Sequence, residues 1–369
     1  VETSTKTVKI APPPKQLIPK GIATASLLAH IIISKFADAL PFYRQHLQFL
    51  RLGVEIPRST MAAWAIYVAN RCQPLVDLLV EDIRSGPLIN MDETPLQVLK
   101  EPGKKNTTKS YMWIFIGGDP QRPSVVFQYD PSRSKDVPAR LVGSDYRGYI
   151  QTDGYAGYDS LGTREGIEHL GCLVHARRKF FDVIKPLKKR KGAKIKGSTA
   201  QTVLNRIRDL YKLEKLAKEQ EMSPEQIRDL RQEKAIPILD EIKILLDERI
   251  STTPPKSLLH TAISYALGQW DRLTRYTEDG ILHPDNNLAE NAIRPLAVGR
   301  KNWLFAGSPK GARASAIYFS LIETAKANGL EPHAYIRHLF EMIPMAETKE
   351  DLKRLLPKNF TRETLPLYS

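Results

Sequence analysis

Three carboxylates stand out by their surroundings. Asp92 lies in NMDET, within or at the end of a strand-like run. Asp153 follows the strand-like YIQT and precedes Gly154. Glu290 sits on a short helix after the turn signal His283-Pro284-Asp285-Asn286-Asn287. Carboxylates from a strand, a neighbouring strand and a helix can meet at one edge of a sheet. Hard oxygen ligands of that kind suit magnesium or manganese. Two such ions about 3.5–4 Å apart activate a water or a 3′-hydroxyl and stabilise the leaving oxygen in phosphoryl transfer, without a protein nucleophile. Each carboxylate also has a plainer explanation. Asp153-Gly154 is a turn dipeptide, Asp92 beside Glu93 reads as a solvated loop pair, and Asn287-x-x-Glu290 fits a capping box. Pro295, with no amide proton, is expected to stop or kink the Glu290 helix.

A second group surrounds these acids. Cys172-x-x-His175 has the spacing of half a zinc site, but no second cysteine pair completes it. His175 then reads either as a phosphate contact or as a satisfied histidine at a strand end. Arg177, Arg178 and Lys179 follow it directly, and Arg294, Arg300 and Lys301 follow Glu290. All six suit phosphate oxygens as charge-assisted donors. Trp303 could stack a splayed base or belong to the core.

The bulk numbers permit these readings. The chain has 369 residues and a net charge of +14, which favours a polyanionic partner such as nucleic acid. Hydrophobic content of 42% is ordinary for a globular protein, so wholesale disorder is excluded. Two widely spaced cysteines, Cys72 and Cys172, form no disulfide framework and point to a reducing, cytoplasmic setting. No apolar run is long enough to span a membrane, and no signal peptide is evident. The chain opens on Val1, so a preceding domain is an open possibility.

Elements must position the acids. Residues 1–20 are basic and proline-rich and read as a linker. Residues 21–85 read as an N-terminal helical domain. There SLLAHIIISKFADAL is apolar on most sides, Gly53 can end FYRQHLQFLRLG, and a helix capped by Ser59 or Thr60 runs from Met61 toward Ile83. Helix, glycine turn and capped helix are compatible with a helix-turn-helix, as with a plain helical hairpin. From residue 86 to 184, LINMDETPLQVL, YMWIFIGG, SVVFQYD and YIQTDGYAGY read as strands, and GCLVHARRKFFDVI as a strand running into a helix. That alternation implies an α/β mixed sheet with flanking helices. Residues 185–280 combine a basic loop, seven cations and no acid between Lys185 and Lys196, with an all-helical segment. In that segment Leu204, Ile207 and Tyr211 share a face, Ser223-Pro224 starts a helix, and Ile263 to Leu273 form another. The Glu290 segment spans 281–330 and a helical C-terminal region 331–369.

Taken together, MDETPLQVL, YIQTDGYAGYD, CLVHARRKFFD, DNNLAENAIRPLAVGRKNWLFAGS and AIYFSLIETAKANG resemble the transposases of the bacterial insertion sequence 66 family. The similarity runs from about Lys20 to Leu356. It implies a DDE recombinase with an RNase H-like core interrupted by the helical insertion, with Asp92, Asp153 and Glu290 as catalytic metal ligands. It implies two magnesium or manganese ions, binding of terminal inverted repeats, transfer of a freed 3′-hydroxyl to target DNA, and a homo-oligomer that pairs two ends. The family usually has Arg after the Glu, where this chain has Asn291, and usually carries an upstream coiled-coil and zinc-binding region. A repurposed, non-catalytic DNA-binding protein and another RNase H-like nuclease are the alternatives.

Overall fold

The computed structural model describes residues 15–187 and 197–365. The start of the proline-rich linker and most of the basic stretch after Lys185 lie outside the described residues. The chain divides into two compact units, Leu79–Arg294 and a second made of Val1–Leu78 with Pro295–Ser369.

The Leu79–Arg294 unit is built on one five-stranded sheet. β1 (Leu88–Gln97), β2 (Lys109–Asp119) and β3 (Arg122–Asp130) form an antiparallel meander. β4 (Gly148–Gln151) and β5 (Ile167–Leu170) run parallel to β1, giving the order β3-β2-β1-β4-β5. The aromatic and β-branched run WIFI in β2 is buried throughout, as expected of an inner strand covered on both faces. Asp119 and Pro120 lie at the β2–β3 hairpin.

Helix α1 (Ala25–Phe36), capped by Thr24, α2 (Phe42–Arg51) and the start of α3 (Arg58–Ser85) form the N-terminal part of the second unit. Gly53, at φ +79°, follows α2. The third helix begins at Arg58, earlier than the Met61 expected from its capping residues. α1 buries Leu28, Ile31, Ile32 and Phe36, and α13 (Pro309–Ala327) is buried from Ala314 to Ala325. Burying a side chain of this size contributes about 1.5–3 kcal/mol. α14 (Pro332–Met342) and α15 (Lys349–Arg354) follow.

Helices complete the sheet unit. α4 (Asp136–Val142) and α5 (Asp159–Gly162) are short links. α6 (Leu173–Leu187) follows β5 directly. α7 (Thr199–Glu219), α8 (Pro224–Leu230), α9 (Ile236–Ile250), α10 (Leu258–Gly268) and α11 (Trp270–Thr274) form the all-helical stretch. The helix start expected at Ser223-Pro224 is present, with a capping box between Ser223 and Gln226. Ile263 and Leu273 fall on two helices, because Gln269 leaves helical geometry between them. Phe180, Ile207, Ile242, Ile263 and Leu273 share one apolar cluster. α12 (Asn287–Trp303) carries Glu290 and continues past Pro295, so the helix does not stop there. The lost bond falls on the carbonyl of Asn291, an exposed position that water can satisfy.

Candidate active site

The three carboxylates come from the three expected elements. Asp92 lies in the middle of β1, opposite Ile114 of β2. Asp153 lies two residues beyond β4, and its Oδ1 accepts the Tyr155 amide at 2.9 Å. Glu290 lies in the first turn of α12. Burial pushes the Asp92 carboxyl up to about 7. The negative charges of Glu93, Asp153 and Glu290 push the same way, against a bond from the Glu93 amide. The acids therefore share one field.

What registers them is a set of buried amides that the sequence reading missed. Asn90 is two residues before Asp92, Gln151 two before Asp153, and Asn286 four before Glu290. Asn90 and Asp92 share a face of β1, where a spacing of two keeps the face, and Asn286 precedes Glu290 by the four residues of one helical turn. Asn90 Nδ2 donates to Gln151 Oε1 at 2.9 Å and to Asn286 Oδ1 at 3.1 Å. Asn286 Nδ2 donates to the Met91 carbonyl at 2.7 Å. Gln151 Nε2 donates to the carbonyls of His283 (2.7 Å) and Gly171 (3.2 Å). All three amide side chains are at most 2% exposed, so each lost bond would strand a desolvated group. The signal was present as N-x-D, Q-x-D and N-x-x-x-E.

The turn before Glu290 is held from further sides. The Asn286 amide donates to Cys172 Sγ at 3.3 Å, and the Leu173 amide to the Pro284 carbonyl at 2.9 Å. Cys172 is buried, and burial pushes its thiol up to about 11. It therefore serves as a neutral acceptor, in keeping with the absence of a completing cysteine pair. Tyr211 donates to Asp285 Oδ2 at 2.7 Å. Arg231 donates five bonds, two to Glu214 and one each to the carbonyls of Tyr276, Asp279 and Leu282. The helical stretch thus clamps the loop that leads into α12.

The capping box expected between Asn287 and Glu290 is not formed. The Asn287 amide bonds to Asp285 Oδ1, and Glu290 Oε1 is buried without a hydrogen-bond partner. His175 lies in the first turn of α6 rather than at a strand end, with Nδ1 3.7 Å from Glu290 Oε1. Arg178 Nη2 is 3.9 Å from Glu290 Oε2. Beside Asp92, Glu93 is no solvated partner. It is paired with Arg133, whose Nε is 2.6 Å away, and bonded by the Tyr158 hydroxyl. Gly154 follows Asp153 because a Cβ there would meet the Tyr265 hydroxyl at 2.6 Å.

These groups fit a hard divalent cation. Burial first, and neighbouring negative charges second, push the Asp92 carboxyl up to about 7, an effect that a cation would oppose, and a buried oxygen of Glu290 lacks a donor. Among the described residues, Cys172, His175 and Glu290 each place one ligand atom within 4.8 Å of the others.

Of the basic residues, Arg177 and Arg178 are exposed on α6, and the Lys179 ammonium lies 4.7 Å from the centre of the Tyr265 ring. Arg294 is exposed on α12. Arg300, Lys301 and Trp303 belong to the other unit. There Lys301 is exposed, while burial lowers the pKa of Arg300 from its ordinary value. Trp303 is half-buried, with the Lys35 ammonium 5.3 Å from its ring centre.

The acids of β1, of the stretch after β4 and of the first turn of α12 thus act on one another, with Arg178 beside Glu290. Residues 20–314 match the model of the IS66 transposase family, and residues 320–357 that of the IS66 C-terminal element. The chain belongs to the IS66 transposase family. It is 34% identical over 366 residues to an uncharacterized protein, y4qI, of Sinorhizobium fredii, covering 95% of this chain and 65% of that protein. A second uncharacterized protein of the same organism, y4jD, is 34% identical over 363 residues, covering 95% of this chain and 68% of its own length. The chain thus spans about two thirds of the relatives it matches. No helix among the described residues is long and apolar enough to cross a membrane.

Proposed function

We propose that the chain carries the catalytic part of a DDE transposase, which cleaves DNA at the ends of its element and joins the freed 3′-hydroxyl to target DNA. The observation that carries this reading is the shared field of Asp92, Asp153 and Glu290, registered by the Asn90–Gln151–Asn286 amides. The strand order β3-β2-β1-β4-β5, with an antiparallel meander and two parallel strands, supports an RNase H-like core. On this reading α7 to α11 are an insertion between the second acid and the third.

Asp92, Asp153 and Glu290 would hold two magnesium (or manganese) ions, which when bound supply Lewis acidity at the attacking and leaving oxygens. The protein's own part is positional and electrostatic. The three acids present oxygens from rigid elements. His175 and Arg178, both beside Glu290, face the phosphate, and Arg177, Lys179 and Arg294 neutralise neighbouring phosphates. Arg300, Lys301 and Trp303 extend DNA contact to the second unit, and two chains pair two ends.

The test is nicking of a labelled duplex carrying the element's end, with and without magnesium. Glu290→Gln is expected to keep fold and DNA binding while losing cleavage and strand transfer by at least about a hundredfold. Cleavage at the wild-type rate in that variant would sink the assignment.

A further inference from the structure

Glu290 also belongs to a second set of donors. Cys172 joins β5 to α6, His175 lies in the first turn of α6, and Glu290 lies in the first turn of α12. One sulfur, one nitrogen and one oxygen from these residues all lie within 4.8 Å of one another. His175 Nδ1 and Glu290 Oε1 are 3.7 Å apart, too far for a hydrogen bond. Both atoms are buried, and neither has a hydrogen-bond partner among the described residues. Two polar atoms this close, shielded from water and bonded to nothing, carry a desolvation cost that a ligand between them would offset.

Backbone contacts already hold the set together. The Asn286 amide donates to Cys172 Sγ at 3.3 Å, and the Leu173 amide to the Pro284 carbonyl at 2.9 Å. These bonds tie the start of α6 to the turn that leads into α12. A hydrogen bond to a ligating atom is the outer support that metal ligands commonly receive. With Zn–S of about 2.3 Å and Zn–N and Zn–O of about 2.0–2.2 Å, the ligand atoms of a tetrahedral site lie about 3.3–3.7 Å apart. Side-chain shifts of about 1 Å or less bring this trio to that spacing.

The donor types decide the class of ion. Magnesium takes oxygen ligands, so sulfur and imidazole select against it. One thiolate, one imidazole and one carboxylate suit zinc, with a fourth position left to water. His175 and Glu290 side chains are each 24% exposed, which gives that position access to solvent. The Cys172–His175 spacing is half a site in the sequence, and the fold brings the third ligand from α12.

We propose that Cys172 Sγ, His175 Nδ1 and Glu290 Oε1 bind one zinc ion, which rivets the first turn of α6 to the first turn of α12. A coordinating thiol is deprotonated outright, so the Cys172 proton passes to solvent as the ion binds. Ligation through Nδ1 leaves the His175 Nε2 proton for the phosphate assigned to that residue above. Ligation through Oε1 leaves Glu290 Oε2 for magnesium, so the zinc fixes which oxygen Glu290 presents. The ion's bearing on cleavage rests on the transposase reading above, whereas its binding does not.

The test is titration of the chelator-stripped full chain with cobalt(II), a coloured stand-in for zinc, without DNA or magnesium. The wild-type chain is expected to take up one tight equivalent with a sulfur-to-cobalt charge-transfer band, and zinc but not magnesium is expected to displace it. Cys172→Ser keeps an acceptor for the Asn286 amide and is expected to abolish the band. Glu290→Gln, checked for an unchanged circular dichroism spectrum, is expected to keep the band while binding cobalt at least about tenfold more weakly. Asp92→Asn is expected to leave affinity and band as in wild type, because that acid belongs to the magnesium set alone. Absence of a band in the wild-type chain overturns the zinc site, as does a band that survives Cys172→Ser. Equal losses of affinity in Asp92→Asn and Glu290→Gln overturn it as well, since the cation would then sit among the acids. A chain that cleaves DNA with magnesium but shows no band fails only here, and one that shows the band but never cleaves fails only the transposase reading.

Discussion

Replacing Asn286 with alanine tests the claim that buried amides set the position of the acids. The substitution removes two side-chain bonds, the 2.7 Å bond to the Met91 carbonyl and the 3.1 Å bond from Asn90. Asn90 Nδ2 keeps Gln151 as a partner, so the Met91 carbonyl is the group left without this donor. A buried polar group stripped of its partner costs about 1–3 kcal/mol, and the void left by the amide adds to it, for a total of about 2–4 kcal/mol. In urea denaturation the midpoint should fall with an unchanged slope, since the surface exposed on unfolding is the same. The Asn90→Ala/Asn286→Ala pair should be non-additive by about 0.5 kcal/mol or more. Cleavage should fall further than the folded fraction explains, by up to about a hundredfold, because Glu290 follows Asn286 by one helical turn and small displacements are costly. Asn286→Asp should be worse than alanine near neutral pH, since it turns a carboxylate toward the Met91 carbonyl and adds a further negative charge near the acids. The reasoning is refuted if Asn286→Ala unfolds within about 0.5 kcal/mol of wild type. A less stable Asn286→Ala that still cleaves at the full wild-type rate refutes the positioning role alone.

Two further outcomes follow from groups that hold the site from behind. His169 is buried, and burial, with Arg272 and Arg275 nearby, lowers its pKa from 6.5 to about 3, while Nδ1 has no acceptor to receive a proton. The unfolded chain therefore binds that proton first, and stability should fall as pH drops from about 6.5 toward about 3, by at most about 1.4 kcal/mol per unit. His169→Gln should flatten this limb of a stability–pH curve measured by denaturant titration, and an unchanged curve would count against the assignment. Arg231→Met should cost about 3–5 kcal/mol, because it strands Glu214 and three carbonyls of the loop before α12. Arg231→Lys should recover little in thermal melts, since an ammonium cannot reproduce five donors in a planar fork.

Legibility in the sequence followed the range of the physics involved. Strand runs, the Ser223 cap and the placement of Asp92, Asp153 and Glu290 on a strand, a strand end and a helix depend on local pattern, and all were readable. The passage of α12 through Pro295 was not. The expectation weighed one lost bond, whereas a helix of 17 residues bound at its first turn by Asn286 and Asp285 is stabilised by tertiary contacts that no local rule contains. The capping box at Asn287 failed because of a nearer acceptor, two residues back. Local spacing allowed Glu290 to turn back on its own helix, but Asp285 takes the Asn287 amide, leaving Glu290 Oε1 unbonded next to His175.

The amides were harder still, since Asn90, Gln151 and Asn286 are 61 and 135 residues apart in succession and nothing local marks them as partners. Their relation to the acids can nonetheless be stated as a rule of geometry. If three acids must meet, the residues one repeat before them on the same faces must meet as well. In a buried layer those residues must be apolar or mutually bonded. Here they are amides that bond one another, so one set of contacts registers both layers, and the outer layer is left with unmatched negative charge. A buried network that is fully bonded and an acidic cluster that is not are therefore two consequences of one arrangement. The same geometry explains why Tyr211 grips Asp285, and Arg231 the Leu282 carbonyl ahead of it, rather than the acids themselves.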